Sequence, residues 1–286
     1  MEIIGIIGGS GLYNLDGIKI KKEIAIATPF GKPSDKFIIA EFEGREVVFL
    51  PRHDKRHSIN PTEINYRANI YGMKKLDVGR IISVTACGSL KGEYKPLDFV
   101  IPTQFIDRTN QARKQTFFDK GVVAHISFAH PVCEDLAKIV YVSAEKKGVT
   151  AHYGATYVNM EGPQFSTLAE SNLYRSWGMG IIGMTNMTEA RLAREAEICY
   201  STLAAVTDYD CWHEAEETVT VEMIIANLCK NVENSKEIIK EIIRKLPKER
   251  TCGCKDALKY AIITNKKFIP KEIKAKLKVI AGKYIG

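Results

Sequence analysis

Two carboxylates set one residue apart, in Thr207-Asp208-Tyr209-Asp210-Cys211-Trp212, are the groups in this chain best suited to proton chemistry. They follow Tyr200 to Val206, a run of small and β-branched residues that reads as a buried strand. The crevice at the carboxyl ends of such strands is where open α/β sheets bind ligands. Poor solvation beside Tyr209, Cys211 and Trp212 is expected to raise the pKa of Asp208 and make it a general acid near neutrality. Taken alone, the same six residues read equally well as a turn aspartate followed by a helix N-cap.

Further stretches have types suited to an anion or a flat ring. Gly8-Gly9-Ser10-Gly11 follows an apolar run and lets backbone N–H groups approach an anion, with the Ser10 hydroxyl beside them. It is no dinucleotide fingerprint, because counting from Gly9 and Gly11 the sixth position is Asn14, and it lacks the Gly-Lys-Ser/Thr of a P-loop. Arg52-His53 at a strand end suits an oxyanion. His53 and His57 are four apart, but no Glu follows the first, and the neighbouring Arg52, Lys55 and Arg56 would repel a metal. Thr85-Ala86-Cys87-Gly88-Ser89 is another small, hydroxyl-bearing strand end. In Glu161-Gly162-Pro163-Gln164-Phe165-Ser166 a Gly-Pro turn sets an aromatic beside a hydroxyl, as a ring platform or as a loop anchor.

The elements that must position these groups alternate. Glu2–Ile7, Gly79–Ala86, Asp98–Ile101, Gly180–Met184 and Tyr200–Val206 read as strands, with one or two more in Val149–Met160. Lys36–Phe42 and Arg45–Leu50 read as a hairpin around Glu43-Gly44. Helices are expected from the Asn60-Pro61 cap to about Leu76, over Pro131–Lys147, after the 161–166 loop as far as Trp177, over Met187–Glu197, and from Val221 behind Thr220. The loop Gln104–Gln115 follows neither period. If the sheet is largely parallel, the ends carrying Ser10, Arg52-His53 and Thr85 converge. The reading is one α/β domain over residues 1–286.

Apolar residues make up 45% of the 286 and charged residues 26%, as in ordinary globular chains. No apolar run approaches the roughly 20 residues that span a bilayer. Met1-Glu-Ile-Ile lacks the basic start of a signal peptide, so the cytoplasm is expected and no membrane partner. The net charge of +7 is local: residues 230–286, expected to be mostly helical, carry 16 Lys/Arg against 6 Asp/Glu, leaving −3 before them. With no aromatic-rich basic motif, that excess reads as solvated helix surface, not a nucleic-acid footprint. Cys87, Cys133, Cys199, Cys211 and Cys229 read as core thiols. Cys252-Gly253-Cys254 is close-spaced; a disulfide there is one reading, and zinc would need a second pair that the local sequence does not supply.

In their order, Gly-Gly-Ser-Gly, Arg52-His53, Thr85-Ala-Cys-Gly-Ser, Glu161-Gly-Pro-Gln-Phe-Ser, Met184-Thr185 and Thr207-Asp-Tyr-Asp resemble the S-methyl-5′-thioadenosine phosphorylases of the nucleoside phosphorylase family. The match runs from about Ile3 to Ala226 and is weak in the last fifty residues. The resemblance implies a mixed central sheet flanked by helices, and a phosphate site of Ser10, Arg52, His53, Thr85, the Ala86 backbone and Thr185. It implies Met184 against the ribose, Phe165 against the purine, Asp208 protonating purine N7 and Asp210 accepting from the exocyclic amine. Ser166 and Val221 fall where the family tunes selectivity, and His125 where a neighbouring subunit closes the 5′ pocket, in a homotrimer or homohexamer. It implies nucleoside and inorganic phosphate as substrates, and neither a metal nor an organic cofactor. Asp54 stands where the pattern has Gly, and Thr188 where Pro is usual.

Two other functions compete. A 6-oxopurine or methylthioinosine phosphorylase would want a donor opposite the oxo group, where ionised Asp208 and Asp210 only accept. A non-catalytic nucleoside-binding regulator would need the pocket without the phosphate ligands.

Overall fold

The computed structural model describes residues 2–13, 15–110, 113–213 and 221–286. Its strands are β1 (Ile3–Gly8), β2 (Lys19–Ile24), β3 (Phe37–Phe42), β4 (Arg45–Pro51), β5 (Val78–Ser89), β6 (Phe99–Ile101), β7 (Gln104–Arg108), β8 (Ala151–Tyr153), β9 (Thr156–Met160), β10 (Ile181–Gly183) and β11 (Cys199–Tyr209). The helices are α1 (Tyr66–Lys75), α2 (Glu134–Lys146), α3 (Leu168–Ser176), α4 (Asn186–Glu195), α5 (Val221–Lys245), α6 (Lys271–Lys276) and α7 (Lys278–Ile285).

All strands join one mixed sheet, and β5 is its branch point. Along one side β5 pairs in parallel with β11 from Arg80 to Ser89; along the other it pairs first with β1, then antiparallel with β10. Paired along both edges and covered by α1, its stretch Ile81-Ile82-Ser83-Val84 is buried and therefore continuously apolar or small. The same reason accounts for β11, whose first nine residues are all buried. β1 lies parallel to both β4 and β5, so the chain leaves all three at one edge. The β3–β4 hairpin turns through Glu43 and Gly44, both at positive φ, which the Glu-Gly pair foreshadows. α2 and α5 pack on each other and on β11; α1 and α4 pack on each other, α1 also on β5 and α4 on β11. No helix among the described residues is long and apolar enough to cross a membrane.

Several boundaries differ from the sequence expectation. Asn60 closes only a turn, taking the N–H groups of Thr62 and Glu63; α1 starts at Tyr66 because Asn65 caps Ala68 N while donating to Phe30 O. β7 lies in the segment that follows no period. β2, Lys-Ile-Lys-Lys-Glu-Ile, is an edge strand with five exposed residues and no apolar face to announce it. β11 runs past Val206 to Tyr209. Thr220 lies outside the described residues.

The basic C-terminal segment spends its charge on the body of the fold. Arg244 pairs with Glu43, Arg250 with Glu2, Lys276 with Asp119 and Lys283 with Glu197. All seven cysteines are free thiols. Cys87, Cys133 and Cys199 are buried, but Cys211 and Cys229 are exposed, Cys211 because β11 has ended at Tyr209 and Cys229 on α5. Cys252 and Cys254 gain as neighbours the second pair missing from the local sequence, Cys133 and Cys199.

Candidate active site

β4 delivers Arg52 and His53. The Arg52 backbone N–H bonds Gly8 O at 2.9 Å, which ties the ends of β1 and β4 together. Its guanidinium is 3% exposed and turned inward: Nε meets Glu189 Oε1 at 2.6 Å, Nη1 Val84 O at 3.0 Å, and Nη2 both Ser83 Oγ at 2.6 Å and Glu189 Oε2 at 3.2 Å. Four of its five donors are thus engaged, leaving one on Nη1. Burial alone would lower its pKa, but the Glu189 carboxylate overrides that and raises it. Arg52 is therefore a fixed donor in a neutralised pair, not the free cation an Arg-His strand end suggests.

His53 directs Nδ1 at Ile59 O, 2.7 Å away, so Nδ1 carries the proton and Nε2 is the acceptor. Burial first, then the Arg52 charge, pull its pKa down to about 4, and the ring is neutral at pH 7. Asp54 adopts φ 63°, which accounts for glycine in the resembling pattern. Its carboxylate turns into its own loop, accepting from Arg56 N, Ser58 N and the Ser58 hydroxyl, so it brings no charge to this end.

Behind Arg52 lies a buried network. Ser83 and Tyr200 donate to Glu189 Oε2 at 2.7 and 2.9 Å, and Asn186 Nδ2 reaches Ser83, Tyr200 and Thr202. It fixes the start of α4, whose N-cap is the buried Thr185 with no side-chain capping bond. A helix N-terminus following a strand end favours an anion. Thr85 is half-buried on β5, Oγ1 3.0 Å from Ala86 O, and Ala86 is exposed. Ser10 opens a short turn after β1; its side chain lies outside the described residues, as does that of Val221.

At the far end of the same strand pair, the β5–β11 register shifts between Val206 and Asp208, and Asp208 then faces Gly88. This bulge at Thr207 re-aims the strand end. Asn227 and Asn231 of α5 donate to Thr207 O and Val206 O at 2.8 Å, and Trp212 Nε1 to Ser89 O at 2.8 Å, which pins both flanks. A Cβ on Gly88 would stand 3.1 Å from Asp208 Oδ1 and 3.5 Å from Asp210 Cβ, so glycine is what lets the carboxylates approach. Asp208 is half-buried. Its neighbour Asp210 is 9% exposed, its carboxyl raised by burial, with the nearby Ser171 hydroxyl acting in the opposite sense. Asp210 Oδ2 has no hydrogen-bond partner among the described residues.

The loop 161–166 lies against Met184: a Cβ on Gly162 would come within 2.4 Å of its Sδ. Ser166 approaches Met160 and, through its carbonyl, Cys211, so the loop borders the two aspartates. Phe165 is 72% exposed and anchors nothing, which removes the loop-anchor reading. His125 stands apart from the cluster; its N–H bonds Ala261 O at 2.8 Å, and it is exposed on a segment that pairs with the C-terminal region.

Sequence reasoning missed two hubs. Arg113 is buried in the segment that follows no period and binds Glu161 Oε1, Glu161 O, Tyr66 Oη and Met184 O, which joins the loop to the end of β10. Nothing local announces it. Glu189 carried a weak signal: it lies one turn after Asn186, on the same face of a helix that starts at a strand end.

A family model described as Phosphorylase superfamily matches residues 3–244. The chain is similar to the S-methyl-5'-thioadenosine phosphorylase of Koribacter versatilis, 58% identical over 99% of this chain and 97% of that relative. The one of Geobacter sulfurreducens is 56% identical over 99% of both. The alignments include the last fifty residues, where the motifs alone had suggested only a weak likeness. Among solved structures, a methylthioadenosine phosphorylase from an antarctic soil metagenomic library superposes with TM-score 0.91 at 46% identity, covering 97% of this chain and 98% of that one. One from Schistosoma mansoni, in complex with adenine, gives 0.84 at 35% identity over 91% of this chain and 96% of that one. Fold, strand-end groups and matched length together make this chain a member of the phosphorylase superfamily.

Proposed function

We propose that the chain catalyses phosphorolysis of S-methyl-5′-thioadenosine, yielding adenine and 5-methylthioribose 1-phosphate. The observation that carries this reading is the β5–β11 pair, which presents Thr85 near the Arg52–Thr185 end and, three residues on, sets Gly88 opposite Asp208. About 10 Å of strand separates the two, which leaves room for a ribose between an anion and a base.

Phosphate oxygen forms the new bond to C1′ as the C1′–N9 bond breaks through an oxocarbenium-like state, and the bound dianion stabilises that charge. Thr85, Thr185, Ser10, the Ala86 backbone and the remaining Arg52 donor hold the phosphate, with His53 Nε2 beside them. Asp208 delivers a proton to purine N7, worth roughly 10²–10⁴-fold. Asp210 accepts from the 6-amino group, which satisfies its unpartnered oxygen. Met184 borders the ribose, Phe165 covers the purine on binding, and Ser166 and Val221 tune selectivity. The step needs no metal or organic cofactor. Burying the 5′ methyl contributes only about 0.8 kcal/mol, so adenosine is also accepted. His125 closes the 5′ pocket of a neighbour in a homotrimer or hexamer. Active monomers in sedimentation would overturn that last element.

The test is incubation with methylthioadenosine, with and without phosphate, while following free adenine. Release that requires phosphate is expected; release without it, or binding without release, contradicts the reading.

A further inference from the structure

We propose that Cys133, Cys199, Cys252 and Cys254 form a structural zinc site that ties the C-terminal region to the sheet. Their Sγ atoms all lie within 4.8 Å of one another, with Cys199 and Cys252 at 3.2 Å. Four thiolates around one zinc at about 2.3 Å span edges of about 3.8 Å, so the sulfurs close on an ion with small side-chain rotations. An iron–sulfur cluster spreads its four thiolates over two or four metal atoms and needs wider spacing.

The four residues come from three distant segments. Cys133 precedes α2, Cys199 opens β11, and Cys252 and Cys254 flank Gly253 in the turn after α5. Thiols are weak hydrogen-bonding groups and gain little from one another, whereas a soft-ligand cation uses all four at once. The set is closed, with two members buried and two half-buried, which marks a structural and not a catalytic site.

Four thiolates around a divalent ion leave two negative charges, and the surroundings offset them. Arg250 Nη1 lies 4.0 Å from Cys199 Sγ, held by Gly79 O at 3.0 Å and Glu197 O at 2.9 Å. Cys133 is the N-cap of α2, where the helix dipole favours a thiolate. A small cavity of about 30 Å³ is bordered by Cys133, Cys199, Cys252 and Arg250. Beyond the cysteines, Glu197 Oε1 receives Leu258 N and the Tyr284 hydroxyl, so an ion here clamps the root of the whole C-terminal segment.

The test is metal analysis of the full chain, purified without a metal-affinity tag from zinc-containing medium. About one zinc per chain is expected, released as an organomercurial titrates four thiols. The ion is lost in Cys252→Ser and Cys254→Ser and retained in Cys229→Ser. Its removal lowers the thermal midpoint and speeds proteolysis after α5. Protein without zinc overturns the proposal, whether the four cysteines then titrate as thiols or prove to be two disulfides under denaturing, non-reducing conditions. The mercurial titration uses the unaltered chain, so the result does not depend on the serine variants folding.

Discussion

At the proposed phosphate end, Arg52, Ser83, Asn186, Glu189 and Tyr200 are buried and hydrogen-bonded to one another, whereas at the base end Asp210 keeps an unpartnered oxygen and Phe165 stands in solvent. The first end is complete without a ligand; on the proposed function, the purine supplies the second with its missing partner and is covered by Phe165. The finished end also carries little free charge, since Glu189 neutralises Arg52 and His53 is neutral. On the proposed reading, fixed N–H and hydroxyl dipoles hold the phosphate. Such dipoles cost no reorganisation during reaction.

The largest expected effect tests the finished end. Glu189→Gln removes the counter-charge of a buried guanidinium, and breaking such a pair costs about 3–5 kcal/mol. Denaturant unfolding should show that loss together with a raised phosphate KM. A stability change under 1 kcal/mol would mean that solvent reaches Arg52 and the two ends differ less than described.

Gly88→Ala probes the base end. The added Cβ meets Asp208 Oδ1 at 3.1 Å, and small displacements of a catalytic group are costly, so kcat should fall about tenfold with the fold intact. An unchanged kcat would show that Asp208 has room to move aside.

A pH measurement addresses His53. Its pKa is about 4 in the folded chain against about 6.5 unfolded, so below pH 6.5 the unfolded state takes up a proton that the folded state refuses. This contribution is complete above pH 6.5 and is lost progressively down to pH 4. His53→Gln should flatten that part of the stability profile; an identical acid limb in both proteins would rule it out. Asp54→Gly is expected to have the smallest effect. Because the carboxylate closes its own loop, phosphate KM should stay within twofold of the parent chain, and a clear tightening would place its charge at the site after all.

The same contrast separates what was legible in the sequence from what was not. β1, β4, β5 and β11 announce themselves through apolar or small runs, and the groups at their ends follow in register. β2 and β7 carry no such runs, one being an exposed edge and the other half polar. Arg113 and Glu189 are lone charges whose partners lie 48 and 137 residues away, and the partner of Cys252 on β11 is 53 residues distant. Tertiary pairing of that kind leaves no local period. The two aspartates were legible as a pair, but the bulge that buries Asp210 more deeply than Asp208 was not.

The most direct measurement is a phosphate titration of Asp208→Asn beside Asp210→Asn and the parent chain, at saturating methylthioadenosine. If Asp208 delivers the proton at an end separate from the finished phosphate site, kcat falls by about two orders of magnitude or more in Asp208→Asn while phosphate KM is unchanged. Turnover within threefold of the parent, or the loss appearing in Asp210→Asn alone, would contradict the account.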